Sequence, residues 1–78
     1  MVYCDYMSNT GNSVTYAFGG LVQDITGVIK FNLTDGSFDI EKEPEQSHVA
    51  IRYLYRLFNK YRADFLKGTF KPKISYEI

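Results

Sequence analysis

A chain of 78 residues with nine Lys and Arg against nine Asp and Glu is neutral in sum, and its 45% apolar and 23% charged content excludes the disordered and fibrous classes. The length admits one small α+β domain over residues 1–78, burying roughly 60–65% of the surface its unfolded chain exposes. A single cysteine, Cys4, closes no internal disulfide, and nowhere do the roughly eighteen consecutive apolar residues of a membrane span occur, so a reducing, cytoplasmic setting is expected.

In chain order, residues 2–7 either add a short strand or, with the polar run Ser8 to Ser13, leave residues 1–12 mobile. Val14, Tyr16 and Phe18 then alternate with Thr15 and Ala17 ahead of Gly19-Gly20, the pattern of a strand ending in a loop. Gly27 is a candidate bulge in the strand that follows. From Ile29 to Lys42, two alternating runs flank Asp35-Gly36, a dipeptide suited to a tight hairpin. With those two residues as the turn, Leu33 faces Phe38 and Phe31 faces Ile40 on one side, while Asn32 meets Asp39 and Lys30 meets Glu41 on the other.

A helix is expected from near Pro44, with Glu43 and Glu45 at its positive end and Ser47 as a later cap, to near Gly68. Between them Ala50, Ile51, Leu54, Leu57, Phe58, Tyr61 and Phe65 recur at three- and four-residue steps and project one apolar stripe. Phe70, Pro72, Ile74, Tyr76 and Ile78 then alternate with Lys71, Lys73, Ser75 and Glu77 as a closing strand. Pro72 confines that strand to a sheet edge or to a start just after the proline. The expected architecture is therefore a small antiparallel sheet, a three-stranded meander with an optional N-terminal strand, packed by one C-terminal amphipathic helix and completed by a short edge strand in the order β-β-β-α-β.

Chemistry is thinly represented. One Cys and one His cannot assemble the three or four converging ligands of a transition-metal site, so no metal and no cofactor is expected. Cys4 and His48 are the one conceivable nucleophile and base, but a structural thiol and a surface imidazole account for them as well. Asp35, Asp39, Glu41, Glu43 and Glu45 do not follow the spacing of a calcium loop; the turn, the outward strand face and the helix start account for them. Catalytic residues are not expected, and the chain does not read as an enzyme.

Charge is segregated along the chain. Residues 1–47 carry seven acids and two bases, residues 48–78 seven bases and two acids. Arg52, Arg56 and Lys60 stand at four-residue steps on the helix, a row of like charges that costs a few tenths of a kcal/mol per pair unless something compensates. Lys67 extends the row, and Arg62 lies toward another edge with Tyr55 and Leu66. A non-catalytic protein-interaction module is expected, with Arg52, Tyr55, Arg56, Lys60, Arg62 and Lys67 as partner-binding residues and an unidentified protein or a second copy as partner. Nucleic acid is the alternative, with Tyr53 and Tyr55 as stacking groups; a solvated face, or helix cations that neutralise the acids of the sheet within the chain or across a dimer, also accounts for the row. No membrane association is expected.

Overall fold

The computed structural model describes residues 1–77. Its elements run β1 Val2–Asn9, β2 Ser13–Gly19, β3 Gly27–Asn32, β4 Phe38–Lys42, α1 Ile51–Leu66 and β5 Lys73–Tyr76. The strands form one antiparallel sheet in the spatial order β4-β3-β2-β1-β5, and α1 carries the chain across one face from the first edge to the other. This is the α+β sheet-and-helix arrangement expected, with five strands in the order β-β-β-β-α-β. The optional N-terminal strand is present, and it lies inside the sheet: β1 pairs with β2 on one side and β5 on the other, burying Val2 and Cys4. β5 begins immediately after Pro72 and occupies an edge, where a missing amide donor is harmless. Ile78, the last position of that alternation, lies outside the described residues.

The hairpin forms in a different register. Phe31 pairs with Phe38, Lys30 with Asp39 and Ile29 with Ile40, so the loop spans residues 33–36 instead of the Asp-Gly pair alone. Leu33 leaves the ladder because its amide donates to the Asn12 carbonyl in the β1–β2 turn at 2.8 Å. Asp35 closes the loop by accepting from the Ser37 amide at 3.0 Å and hydroxyl at 2.7 Å, and Gly36 takes φ +75°, a conformation open to glycine at little cost. Gly27 opens β3 unbulged opposite Phe18; the irregularities fall at Val28/Ile29 against β4 and at Tyr6/Ser8 in β1.

The helix starts seven residues later than the sequence suggests, at Ile51, and the reason lies in Asp24. This carboxylate is 2% exposed and accepts from the Thr26 hydroxyl at 2.7 Å, the Gln46 amide at 2.9 Å, and both the Ser47 amide and hydroxyl at 2.6 and 2.7 Å. Ser47 is thus no helix cap; its Oγ also receives the Gly20 amide at 2.9 Å. Gly19 backs the latch so closely that a Cβ there would sit 1.7 Å from the Asp24 carbonyl oxygen. Pinned to the β2–β3 loop, residues 44–47 cannot wind, Pro44 is buried, and Glu43 and Glu45 are left outside the first helical turn. The N-cap, Ala50, makes no side-chain bond. At the other end Gly68 at φ +81° ends the helix, with the Gly68 and Thr69 amides donating to the Phe65 and Asp64 carbonyls at 3.0 and 2.9 Å.

Between helix and sheet lies an aromatic core. Phe31 stacks on Phe58 with ring centroids 5.0 Å apart and planes 12° from parallel, and Phe65 lies against Phe31, Phe58, Tyr16 and Phe70. Leu54, Leu57, Ile29, Val14 and Phe18 complete it. Tyr16 brings its hydroxyl into this core and satisfies it by donating to the Lys71 carbonyl at 2.9 Å, which ties the approach to β5 onto the sheet.

Phe31→Ala should cost about 3–5 kcal/mol by urea denaturation, whereas Ile51→Ala, at a 57% exposed position, should stay within about 0.5 kcal/mol. The four donors hold the Asp24 carboxyl down to about 2, below its ordinary value of 3.8. A depressed folded-state value means the ionised form stabilises the fold; its contribution is complete above pH ~4 and disappears as pH falls toward 2. Thermal melts of Asp24→Asn should show a lower Tm at neutral pH and a shallower acid limb than the parent. An unchanged acid limb would assign the loss to other carboxylates, such as Asp35, whose value is also lowered by its bonds to Ser37.

Candidate functional site

The outer surface of α1 collects the predicted cations. Arg52, Arg56, Lys60 and Lys67 are all exposed, and the helical repeat places them within one stripe turned away from the sheet. Two are steered by aromatic neighbours: the Arg52 guanidinium lies 4.8 Å from the Tyr53 ring centre and donates to its hydroxyl at 3.3 Å, and Lys60 lies 5.2 Å from the Tyr61 ring centre. Lys60 also reaches over the β5 edge to donate to the Ser75 carbonyl at 3.3 Å, beside the Tyr61 hydroxyl at 3.4 Å.

No acid forms an ion pair with this stripe among the described residues. Among the described residues the ion pairs are Lys42–Glu45 at 3.3 Å, Lys71–Asp64 at 3.9 Å and Lys73–Asp5 at 2.9 Å, none of which involves a basic side chain of the helix. Among the described residues Arg52, Arg56 and Lys60 therefore form no ion pair with a sheet acid, whereas Arg62, on another flank, lies close enough to the β3–β4 turn to help hold the Asp35 carboxyl below its ordinary value. Arg52, Arg56 and Lys60 stand together without a carboxylate between them, and Asp64, the next four-residue step before Lys67, lies 3.9 Å from Lys71.

Two predicted partner-binding residues sit apart from that stripe, on the flank turned toward β4. Arg62 leans over the Phe58 ring at 5.8 Å and against the β3–β4 turn, where a Cβ on Gly36 would lie 3.2 Å from its Nη1. Its Nε is buried without a hydrogen-bond partner. Tyr55 meets Phe38 edge-on at 4.7 Å and remains 50% exposed. Ile51 and Leu66, 57% and 60% exposed, share this flank. Tyr53 is half-buried and stacked on Tyr76 at 6.4 Å beneath Arg52, so its ring faces are already occupied and it does not serve as an open stacking platform.

Cys4 is buried in β1, and burial, reinforced by the neighbouring Asp5 carboxylate, pushes its thiol far above the ordinary range; His48 is exposed in the segment before α1. A depression of about 400 Å³ at the C-terminal end of the helix is lined by the Asn9–Asn12 turn, Leu33, Thr34, Leu66 and Phe70, with no titratable side chain. A smaller one of about 220 Å³ beside β5 includes Cys4 and the closed Asp5–Lys73 pair. Among the described residues no group of three or more His, Cys, Asp and Glu could hold a metal ion, and no helix is long and apolar enough to cross a membrane. Comparison of the chain with protein-family models, with curated proteins and with solved structures found no match in any of the three.

The state of Cys4 is directly measurable. Iodoacetamide should leave the native protein unlabelled over hours and modify it rapidly in denaturant, because the reactive thiolate is suppressed by burial. Rapid labelling of the folded protein at neutral pH would show that β1 opens or that the thiol is activated.

Proposed function

We propose that this chain is a non-catalytic interaction module whose helix face, carried by Arg52, Arg56, Lys60 and Lys67, docks an acidic protein surface. The observation that supports the reading is the separation of charge: the acids that form ion pairs do so with Lys42, Lys71 and Lys73, leaving Arg52, Arg56 and Lys60 with no ion-pair partner among the described residues. A row of like charges at four-residue steps disfavours the helix, and an anionic partner removes that penalty on binding. A protein partner fits better than nucleic acid because the aromatics beside the cations are already engaged, Tyr53 under Arg52 and Tyr55 against Phe38, whereas binding of single strands leans on open stacking rings.

The test is a titration at low and moderate salt with a polyglutamate peptide and a mixed-sequence single-stranded oligonucleotide as probes. The peptide should bind and weaken with salt, since exposed charges more than about 10 Å apart are screened near 0.1 M. Arg52→Glu/Arg56→Glu/Lys60→Glu should abolish binding. Arg56→Glu alone should weaken it several-fold while stabilising the helix by about 0.3–0.5 kcal/mol, because it converts like-charge neighbours into attractive ones. Loss of binding with a gain in Tm separates a docking role from a structural one. Binding of neither probe at low salt sinks the proposal, and preference for the oligonucleotide transfers the face to nucleic acid.

A further inference from the structure

The helix face is not the only surface left without a partner. β4, five residues long, has β3 on one side and, among the described residues, no strand on the other. Asn32 donates to the Ser37 carbonyl at 2.8 Å, and Lys30 pairs with Asp39 two residues further along. In an antiparallel ladder that alternation turns the backbone groups of Ser37 and Asp39 toward β3 and those of Phe38 and Ile40 outward. The free edge therefore presents the amides and carbonyls of Phe38 and Ile40.

The two sides of this edge differ in chemistry. Phe38 and Ile40 are half-buried and pack on the core, and the half-exposed Tyr55 stands against Phe38. Asp39 and Glu41 alternate with them, are exposed and form no ion pair among the described residues, although Asp39 faces Lys30 across the ladder and accepts from the Asn32 side-chain amide at 3.3 Å. The opposite edge is closed differently: at β5 the Lys60 ammonium and the Tyr61 hydroxyl cover the Ser75 carbonyl, and Pro72 has no amide to offer. Of the two edges, β4 is the one whose outward backbone groups have no side chain bonded to them among the described residues, and its two acids outnumber the single cation, Lys30, that faces them from β3.

A second copy of this chain is the wrong occupant. Antiparallel pairing of β4 with itself centred on Ile40 sets Asp39 opposite the second copy's Glu41, and centring on Asp39 sets the two aspartates together. Like charges directly opposite destabilise a strand pair, so the acidic row blocks edge-to-edge self-association. We infer that the β4 edge instead accepts an extended segment of another protein in which basic and apolar residues alternate, adding a sixth strand to the sheet. The basic side chains meet Asp39 and Glu41 on the outer side, the apolar ones extend the surface of Phe38, Ile40 and Tyr55 on the inner side, and the Phe38 and Ile40 backbone supplies the ladder.

The experiment uses the whole chain, amide-resolved NMR and a capped synthetic peptide of alternating Lys and Val. The alternating peptide should shift and protect the Phe38 and Ile40 amides and bind about tenfold more tightly than an isomer with its Lys and Val in blocks, as expected for a few cross-strand pairs acting together. N-methylation of the peptide residues facing β4 should abolish binding, while methylation of the intervening ones should leave it intact; this control requires no change to the protein. Asp39→Lys/Glu41→Lys should reverse the preference toward an alternating Glu and Val peptide. Equal binding of alternating and block peptides, insensitivity to methylation, or shifts confined to the helix face would overturn the inference. So would concentration-dependent protection of Phe38 and Ile40 without peptide, which would make the occupant a second copy.

Discussion

The stack of Phe31 on Phe58 is the contact on which the remaining geometry depends. Phe31 comes from the end of β3 nearest the hairpin turn and Phe58 from the middle of α1, so their near-parallel packing sets the height and position of the helix over the sheet. With that position set, Leu54, Leu57 and Phe65 enter the core, and the Lys60 to Lys67 side of the helix is forced outward. The same placement brings Tyr53 to Tyr76 and Tyr61 to the Ser75 carbonyl on one flank, and Tyr55 to Phe38 on the other. Both candidate surfaces, the cationic helix face and the β4 edge, inherit their geometry from this one pair of rings.

Asp24 controls the other end of the helix by a different kind of force. It replaces a conventional N-cap: the carboxylate holds the chain three to four residues before the cap, and the helix then begins without side-chain help at Ala50. Four donors around one buried carboxylate form a directional lock, which positions residues 44–50 more sharply than apolar packing alone would. The first turn of α1 has no acid, so Arg52 lies near the positive end of the helix dipole. That adds to the cost of the like-charge row and to the benefit an anionic partner would bring.

Much of this arrangement can be read from the residues, and the parts that cannot share a cause. The apolar stripe of α1, its stop at Gly68 and the edge position of β5 after Pro72 all rest on local chemistry. The hairpin faces were legible but not its register, because a shift of two residues keeps every apolar side chain on the same face and alternation cannot distinguish the two. What decides it is the bond from Leu33 to Asn12, a contact with a different hairpin. The helix start is hidden for the same reason, since Asp24 acts from more than twenty residues upstream. In the candidate site the spacing of Arg52, Arg56 and Lys60 announces a common face, whereas the departure of Arg62 to the Gly36 turn depends on a tertiary contact with no local signal.

The place of β1 in the sheet also shapes how the protein comes into being. Its two neighbours are β2, a few residues away in sequence, and β5, near the other end of the chain. The β1–β2–β3–β4 meander can collapse from nearest-neighbour hairpins, but the pairing of Cys4 with Ile74 closes a loop of some seventy residues. Such a closure is entropically slow and places this chain among folders governed by distant contacts rather than by local helix formation. During synthesis the first strand leaves the ribosome early and waits with one side unpaired until residues 73–76 have emerged, an interval in which its buried positions, Val2 and Cys4, are open to chaperones and to aggregation.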